Sequence, residues 1–172
     1  MTSIIKVDEI QSKNGTSALT IDSSGRMTRS VLPAWRVGLA NNQSETTSGD
    51  HVVEFDTDNV ENCFLQGGCT HSSGVITVPI AGLYFLSSTI RFDDVSSSNY
   101  VIVRLQKNGV TTGLSDAYAL SDDHGTSYES LMTTDLFQCE TGDELRVQVN
   151  VQTDTNWHLS GDNCHFNGFM VG

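Results

Sequence analysis

A strict two-residue alternation near the C-terminal end of the chain constrains its fold more than any other feature. The apolar positions are Leu145, Val147, Val149 and Val151, and the polar positions between and after them are Arg146, Gln148, Asn150 and Gln152. Successive side chains of a β-strand point to opposite faces, so this segment places four apolar side chains on one face. The segment therefore predicts a strand that is buried on one side only.

Turn signals separate several further β segments. Asn108-Gly109 is a pair favoured in two-residue hairpin turns, so residues 100–106 and 111–114 are predicted to form a hairpin. Residues 140–143 carry the Gly and Asp of a tight turn, which predicts that residues 132–137 pair with the alternating strand. Other β runs are Trp35–Leu39, Val52–Phe55, Val75–Val78, Leu83–Phe92 and Phe166–Val171. Many short strands in a chain of 172 residues predict one all-β sandwich or jelly roll.

The segment Leu83–Phe92 has large apolar residues on both of its faces. One face carries Tyr84, Leu86, Ile90 and Phe92, and the other carries Phe85 with two small hydroxyl residues. A strand covered on both sides is either central in a thick sandwich or belongs to a sheet that packs against a neighbouring subunit. The sequence leaves both explanations open.

Charge is unevenly distributed. Nine Lys and Arg against 21 Asp and Glu give a net charge of −12, and the basic residues after Pro33 are scattered singly, so nucleic-acid binding is not expected. Residues 1–33 hold four basic and three acidic residues, which leaves −13 for the rest. We therefore expect a segment 1–33 and a domain 34–172. No apolar run is long enough to cross a membrane and no signal-peptide pattern is present, so we expect neither membrane insertion nor secretion.

Neither cysteine spacing nor sequence motifs indicate catalysis or a structural metal. Cys63, Cys69, Cys139 and Cys164 lack the paired spacing of a zinc site. Reduced thiols that act as small apolar residues are expected, with a Cys63–Cys69 loop under oxidising conditions left open. The chain has no Gly-x-Ser-x-Gly elbow, phosphate-binding glycine loop or His-Glu-x-x-His motif, so it is not expected to be an enzyme.

One stretch and three later motifs resemble C1q-like domains of the complement and tumour-necrosis-factor type. The stretch runs from Phe55-Asp56-Thr57 through Ser73–Phe85 and contains Pro79, Gly82 and Tyr84. The later motifs, in the family's order, are Tyr100–Gly109, Thr141-Gly142-Asp143 and Phe166-Asn167-Gly168-Phe169. The resemblance covers roughly residues 34–172 and implies a ten-stranded type of jelly-roll sandwich that assembles as a homotrimer.

The N-terminal segment is similar to the opening of many tail-fibre and structural proteins of bacteriophages. The matching residues are Ser3–Gly15 and Leu19–Met27. Physically, they offer short β segments around Asn14-Gly15 and Ser24-Gly25 that are too small to bury a core alone. The similarity implies that residues 1–33 attach the domain to other tail or capsid proteins, and that the protein is located in the virion.

Three polar loops with aromatic residues are the predicted ligand-binding regions, at 93–99, 118–128 and 156–163. The candidate residues are Asp93, Asp94, Tyr118, Asp122, Asp123, His124, Trp157 and His158. Carboxylates are suitable calcium ligands, so Asp93, Asp94, Asp122 and Asp123 are also candidates for a Ca²⁺ site. Asp is equally favoured in ordinary solvated turns, which is the alternative explanation.

These observations lead to a ranked set of functions. The first is the homotrimeric head of a tail fibre or adhesin that recognises a host cell-surface receptor or glycan. The alternative is a structural decoration, cement or plug protein of the virion without receptor binding. A polysaccharide hydrolase is disfavoured because the sequence shows no convincing pair of catalytic carboxylates.

Overall fold

The computed structural model describes residues 7–11, 13–14, 17–29, 32–56, 62–95, 100–111, 116–120 and 128–171. The chain divides into two compact units, Met1–Leu32 and Pro33–Gly172. The division lies one residue from the boundary that charge predicts. Among the described residues both units are built from β-strands, with a single short 3-10 turn at Gly161–Asn163 in the larger unit.

The N-terminal unit contains a three-stranded antiparallel sheet in the order β1-β2-β3. Its strands are β1 (Glu9–Gln11), β2 (Ser17–Ile21) and β3 (Met27–Arg29). The β2–β3 turn is fixed by Asp22, whose Oδ1 accepts hydrogen bonds from the backbone N–H groups of Ser24 and Arg26. Ile10 and Met27 are exposed, and none of the described residues of this unit belongs to the buried apolar core.

The second unit, called the head here, is an antiparallel sandwich of two sheets. Its strands are β4 (Ala34–Gly38), β5 (Gln43–Glu45), β6 (Gly49–Val52), β7 (Phe64–Gln66), β8 (Thr70–Ser72), β9 (Val75–Thr77), β10 (Gly82–Asp93), β11 (Tyr100–Lys107), β12 (Val110–Thr111), β13 (Ala117–Leu120), β14 (Tyr128–Cys139), β15 (Glu144–Val151), β16 (Trp157–Leu159) and β17 (His165–Met170). The β10 sheet has the order β5-β16-β10-β17-β4-β7, and β14 pairs with the other edge of β10. The β11 sheet has the order β12-β11-β15-β9-β8, with β13 on β11 and β6 on β15. The predicted all-β jelly-roll sandwich is confirmed.

The core lies between the two sheets and follows the predicted alternation. Leu145, Val147, Val149 and Val151 are fully buried on β15, as are Tyr84, Leu86, Ile90 and Phe92 on β10. The Trp35 ring packs edge-on against Phe166 and lies beside Tyr84. A Cβ on Gly168 would lie 2.1 Å from Cζ2 of Trp35, so glycine is required where β17 passes this ring.

Of the two predicted turns, one forms a hairpin and the other does not. Asn108 and Gly109 adopt positive φ angles of 52° and 74°, and β11 pairs with β12 across them, as predicted. The pairing of residues 132–137 with the alternating strand is wrong. β14 pairs with β10 and β15 pairs with β11, so the turn at 140–143 crosses from one sheet to the other. Backbone hydrogen bonds from Val78 to Asp143 and from Gly142 to Val78 hold this corner.

Candidate functional site

The strand ends that border the three predicted ligand loops meet at one end of the head. Asp93, the last residue of β10, lies opposite Tyr128 of β14 on one side and His158 of β16 on the other. On the second sheet, Tyr100 lies opposite Leu120. We call this end of the head the loop end. Asp122, Asp123 and His124 fall outside the described residues.

Five side chains form a cluster at the loop end: Arg91, Asp93, Asp94, Tyr128 and His158. Arg91 Nε donates to Asp93 Oδ1 at 2.8 Å, and the guanidinium carbon lies 4.0 Å from the centroid of the Tyr128 ring. The His158 ring lies between two carboxylates, with Nε2 3.6 Å from Asp93 Oδ2 and Nδ1 3.3 Å from Asp94 Oδ2. The structure therefore brings together three of the predicted residues, Asp93, Asp94 and His158.

The loop-end cluster contains both shielded and accessible groups. The Asp93 carboxylate is mostly buried and faces two basic side chains, which disfavours it as a calcium ligand, whereas the Asp94 side chain is 72% exposed. Tyr128 is also exposed. Across the described ranges, no three His, Cys, Asp or Glu side chains are arranged to hold a metal ion. Asp94 and Tyr128 thus offer a carboxylate and an aromatic ring to a polar ligand.

The expectation that Trp157 is an exposed ligand-contacting aromatic is wrong. Its side chain is in the core with 2% of the residue exposed, and its indole Nε1–H donates to the backbone oxygen of Thr47 at 3.4 Å. The strand β16 points Trp157 and Leu159 inward and His158 outward, because side chains alternate along it. Trp157 supports the loop end from within.

Next to Trp157, a histidine that the sequence analysis did not select joins two strands. His51 on β6 places Nδ1 2.9 Å from Glu45 Oε2 on β5 and Nε2 3.0 Å from the backbone oxygen of Thr47. The His51 ring also meets Trp157 edge-on at 5.3 Å. These contacts hold the β5–β6 connection, which links the two sheets.

Tyr118 is exposed as predicted, but it lies on the β11 sheet, whereas the loop-end cluster lies on the β10 sheet. Its hydroxyl donates to Asp116 Oδ2 at 2.7 Å, and this hydrogen bond raises the pKa of Tyr118. Asp116 also binds Arg104 at 3.2 Å. Tyr118 is thus part of a polar network on the second sheet.

The outward side of the β10 sheet, called the outer face here, has exposed apolar side chains. Phe85 lies opposite Leu136 on one neighbouring strand and Phe169 on the other, and the two phenylalanine rings are 5.3 Å apart. Leu136 and Phe169 are 52% and 50% exposed, and Met132 is 67% exposed. The second face of β10, which the sequence left open, is therefore not covered by another part of the described head.

The cysteines do not form a reactive or cross-linked site. All four are free, and Cys69, Cys139 and Cys164 are buried. Burial raises the pKa of each of these three thiols to about 11. Protonated, buried thiols act as small apolar side chains, in agreement with the sequence analysis.

Comparison with known proteins identifies the family. Residues 57–171 match the model of the TNF (Tumour Necrosis Factor) family, whose domains typically form homotrimers and whose fold is non-enzymatic. No curated protein matches the chain. The described residues contain no helix long and apolar enough to cross a membrane. With two sheets in a jelly-roll sandwich and a match over most of the head, the chain belongs to the tumour necrosis factor family.

Proposed function

We propose that the protein is a homotrimeric binding head in which the outer faces of three β10 sheets pack together. The observation that carries the proposal is the apolar group formed by half-buried Phe85 with the exposed Leu136 and Phe169. This group lies near the start of β10, whereas the loop-end cluster lies at the end of that strand. Burying apolar surface contributes roughly 25 cal/mol per Å², and exposed contiguous apolar patches are typical of association sites. The family's usual assembly supports the choice of three copies.

Charge on the outer face also favours contact between copies. The chain has 21 acidic residues, and its high net charge makes copies repel one another over most of their surface. The outward positions of β4, β10, β14 and β17 include Arg36 and Arg91 but just one carboxylate, Asp93, which is already paired with Arg91. The outer face is thus a region where three acidic chains can meet without a large electrostatic cost.

Within this proposal, the head belongs to a virion appendage such as a tail fibre. Residues 1–33 attach it to other tail or capsid proteins, and the loop end contacts a host surface receptor or glycan. The N-terminal resemblance supports the setting, and the accessible Asp94 and Tyr128 of the loop-end cluster support the binding role. A decoration or plug protein is the alternative, in which the trimer has no receptor.

Competition for adsorption tests the binding role. Purified protein is added in excess to host cells before virions that carry the same protein, and the rate of adsorption is measured. We expect the protein to bind the cells and slow adsorption, and Asp94→Ala with Tyr128→Ala to weaken both effects. A trimer that neither binds cells nor slows adsorption would contradict receptor binding and favour the decoration role.

A further inference from the structure

A pocket of about 380 Å³ shares no lining residue with the loop-end cluster or with the apolar group of the outer face. Three separate segments line it: Leu39 with residues 41–43, residues 54–56 after β6, and His71 of β8 with Ser73 in the turn that follows. Leu39 and Phe55 are 2% and 1% exposed, so they contribute little accessible apolar surface. The remaining lining is polar, which suits a polar ligand and not an apolar one.

Hydrogen bonds hold the first two segments of the pocket in place. The Gln43 amide Nε2 donates to the backbone oxygen of Val52 at 2.9 Å, and its Oε1 accepts from the N–H of Glu54 at 2.8 Å. Asn42 Oδ1 accepts from the N–H of Gly161 at 2.9 Å. The pocket walls are therefore formed before a ligand arrives, which reduces the entropy lost on binding.

The third segment is equally constrained. The N–H of Gly74 donates to Nε2 of His71 at 3.2 Å, which ties the turn to β8. Gly74 has a φ of 77°, and a Cβ there would lie 2.0 Å from the backbone oxygen of Val53. The turn that carries Ser73 is thus pressed against the segment that leads to Glu54.

The groups in this lining match the hydrogen-bonding needs of sugar hydroxyls. Asn41 and Asn42 contribute amides, Glu54 and Asp56 contribute carboxylates that accept hydrogen bonds, and Ser73 contributes a hydroxyl. No lysine or arginine is among the lining residues, so no permanent positive charge there compensates an anionic ligand, and the carboxyl groups of Glu54 and Asp56 repel one. We infer that this pocket binds a neutral saccharide unit and discriminates against acidic sugars.

This inference names a ligand class for the binding role and rests on the proposed function for its setting. All of its lining residues belong to one protomer, so the site does not depend on assembly. Experiments can therefore contradict sugar binding without contradicting trimer formation, and the reverse. A trimer without sugar binding would overturn this inference alone, and a monomer that binds sugar would overturn the proposed assembly alone.

Protein-observed NMR titration of the full chain tests the inference. The neutral probes are glucose, galactose, mannose and N-acetylglucosamine, and the acidic probes are glucuronic acid and N-acetylneuraminic acid. We expect at least one neutral sugar to shift the side-chain amide signals of Asn41 and Asn42, with no saturable shifts from the acidic sugars. The absence of saturable shifts with every neutral sugar, or tighter binding of the acidic sugars, would overturn the inference.

Two substitutions with a matched control locate the binding. Asn41→Ala removes an amide, and Glu54→Gln removes a charge while it keeps the side-chain shape; we expect each to weaken binding by about tenfold. Glu140→Gln makes the same chemical change at an exposed turn outside the pocket, and we expect it to bind sugar like the unmodified protein. Equal binding by Glu54→Gln and Glu140→Gln, with both variants folded, would place the sugar elsewhere.

Discussion

The outward sides of the two sheets differ in their side chains: one side has polar groups that pair with one another, and the other has exposed apolar groups. On the β11 sheet, Arg104 binds Asp50 at 3.0 Å and Asp116 at 3.2 Å, and Asn150 donates to Asp50 at 2.6 Å. On the β10 sheet, the outer face exposes Leu136 and Phe169. The first surface carries a network of polar side chains that pair with one another within the protomer, whereas the second leaves apolar area in contact with water.

This difference indicates which side of the sandwich serves assembly. A network that is already hydrogen-bonded gains little from a partner, because a partner must displace water from it and replace bonds that exist. An exposed apolar group gains free energy whenever another surface covers it. The two sheets share an apolar inner side that makes the fold, and the β10 sheet carries a second apolar side that we assign to the trimer.

A charge placed on the outer face should have the largest effect. We expect Phe169→Asp to convert the trimer to a monomer, because three carboxylates would be brought together in an apolar contact. Val110→Asp is the matched control, since Val110 is an exposed apolar residue on the β11 sheet. Analytical ultracentrifugation checks both variants. Dissociation by both variants, or by neither, would remove the distinction between the two sheets.

A substitution at Gly168, the residue before Phe169 on β17, should lower the stability of the fold and should not act directly on trimer formation. Gly168→Ala places a Cβ 2.1 Å from the Trp35 ring in the core, so we expect a loss of about 3 kcal/mol in the free energy of unfolding. Denaturant unfolding measures this loss. Unchanged stability of Gly168→Ala would show that β17 does not pass Trp35 as described.

Disruption of the polar network on the β11 sheet should have a moderate effect on stability and none on assembly. Arg104→Ala leaves Asp116, which is largely buried, without its cation, and we expect a loss of about 1 to 2 kcal/mol. The double variant with Arg104→Ala and Asp116→Ala should recover part of the stability that Arg104→Ala loses. Thermal unfolding and solution mass check these expectations, and loss of the trimer in Arg104→Ala would contradict them.

The smallest expected effect is a pH dependence from His165, an outward residue of β17. Burial and the charge of Arg36 lower the pKa of His165 below its ordinary value of 6.5. The unfolded chain therefore binds this proton more readily, so stability falls as pH drops below about 6.5 and is recovered above it. His165→Gln should flatten this part of the pH profile of unfolding. An identical slope in the variant would assign the dependence to other groups.

Long periodic segments and turn residues made the architecture predictable. The alternation of residues 145–152 and the two-sided pattern of residues 83–92 correspond to β15 and β10, and Asn108-Gly109 forms the expected hairpin. Strand pairing across residues 140–143 was not predictable, because the same Gly-Asp turn residues serve a hairpin and a corner between sheets. The strand β16 is three residues long, too short for its alternation to show that Trp157 points inward.

The candidate sites could be predicted only in part, because strand pairing brings together residues that are far apart in the sequence. Asp93, Asp94 and His158 could be selected because they lie in polar loops with aromatic residues. Arg91 shares one face of β10 with Asp93, whereas Tyr128 joins them only through the register of β10 with β14. The pocket proposed to bind a saccharide combines segments near residues 41, 55 and 72, which become neighbours only after the sheets form.

The mass of the purified protein in solution tests the central claim most directly. Native mass spectrometry or light scattering should give about three times the 18.7 kDa mass of one chain, with no concentration-dependent shift to monomer near the working range. Such a value would agree with a trimer formed through the outer face. A mass of one chain at all concentrations would contradict the account, because the apolar outer face would then remain exposed to water.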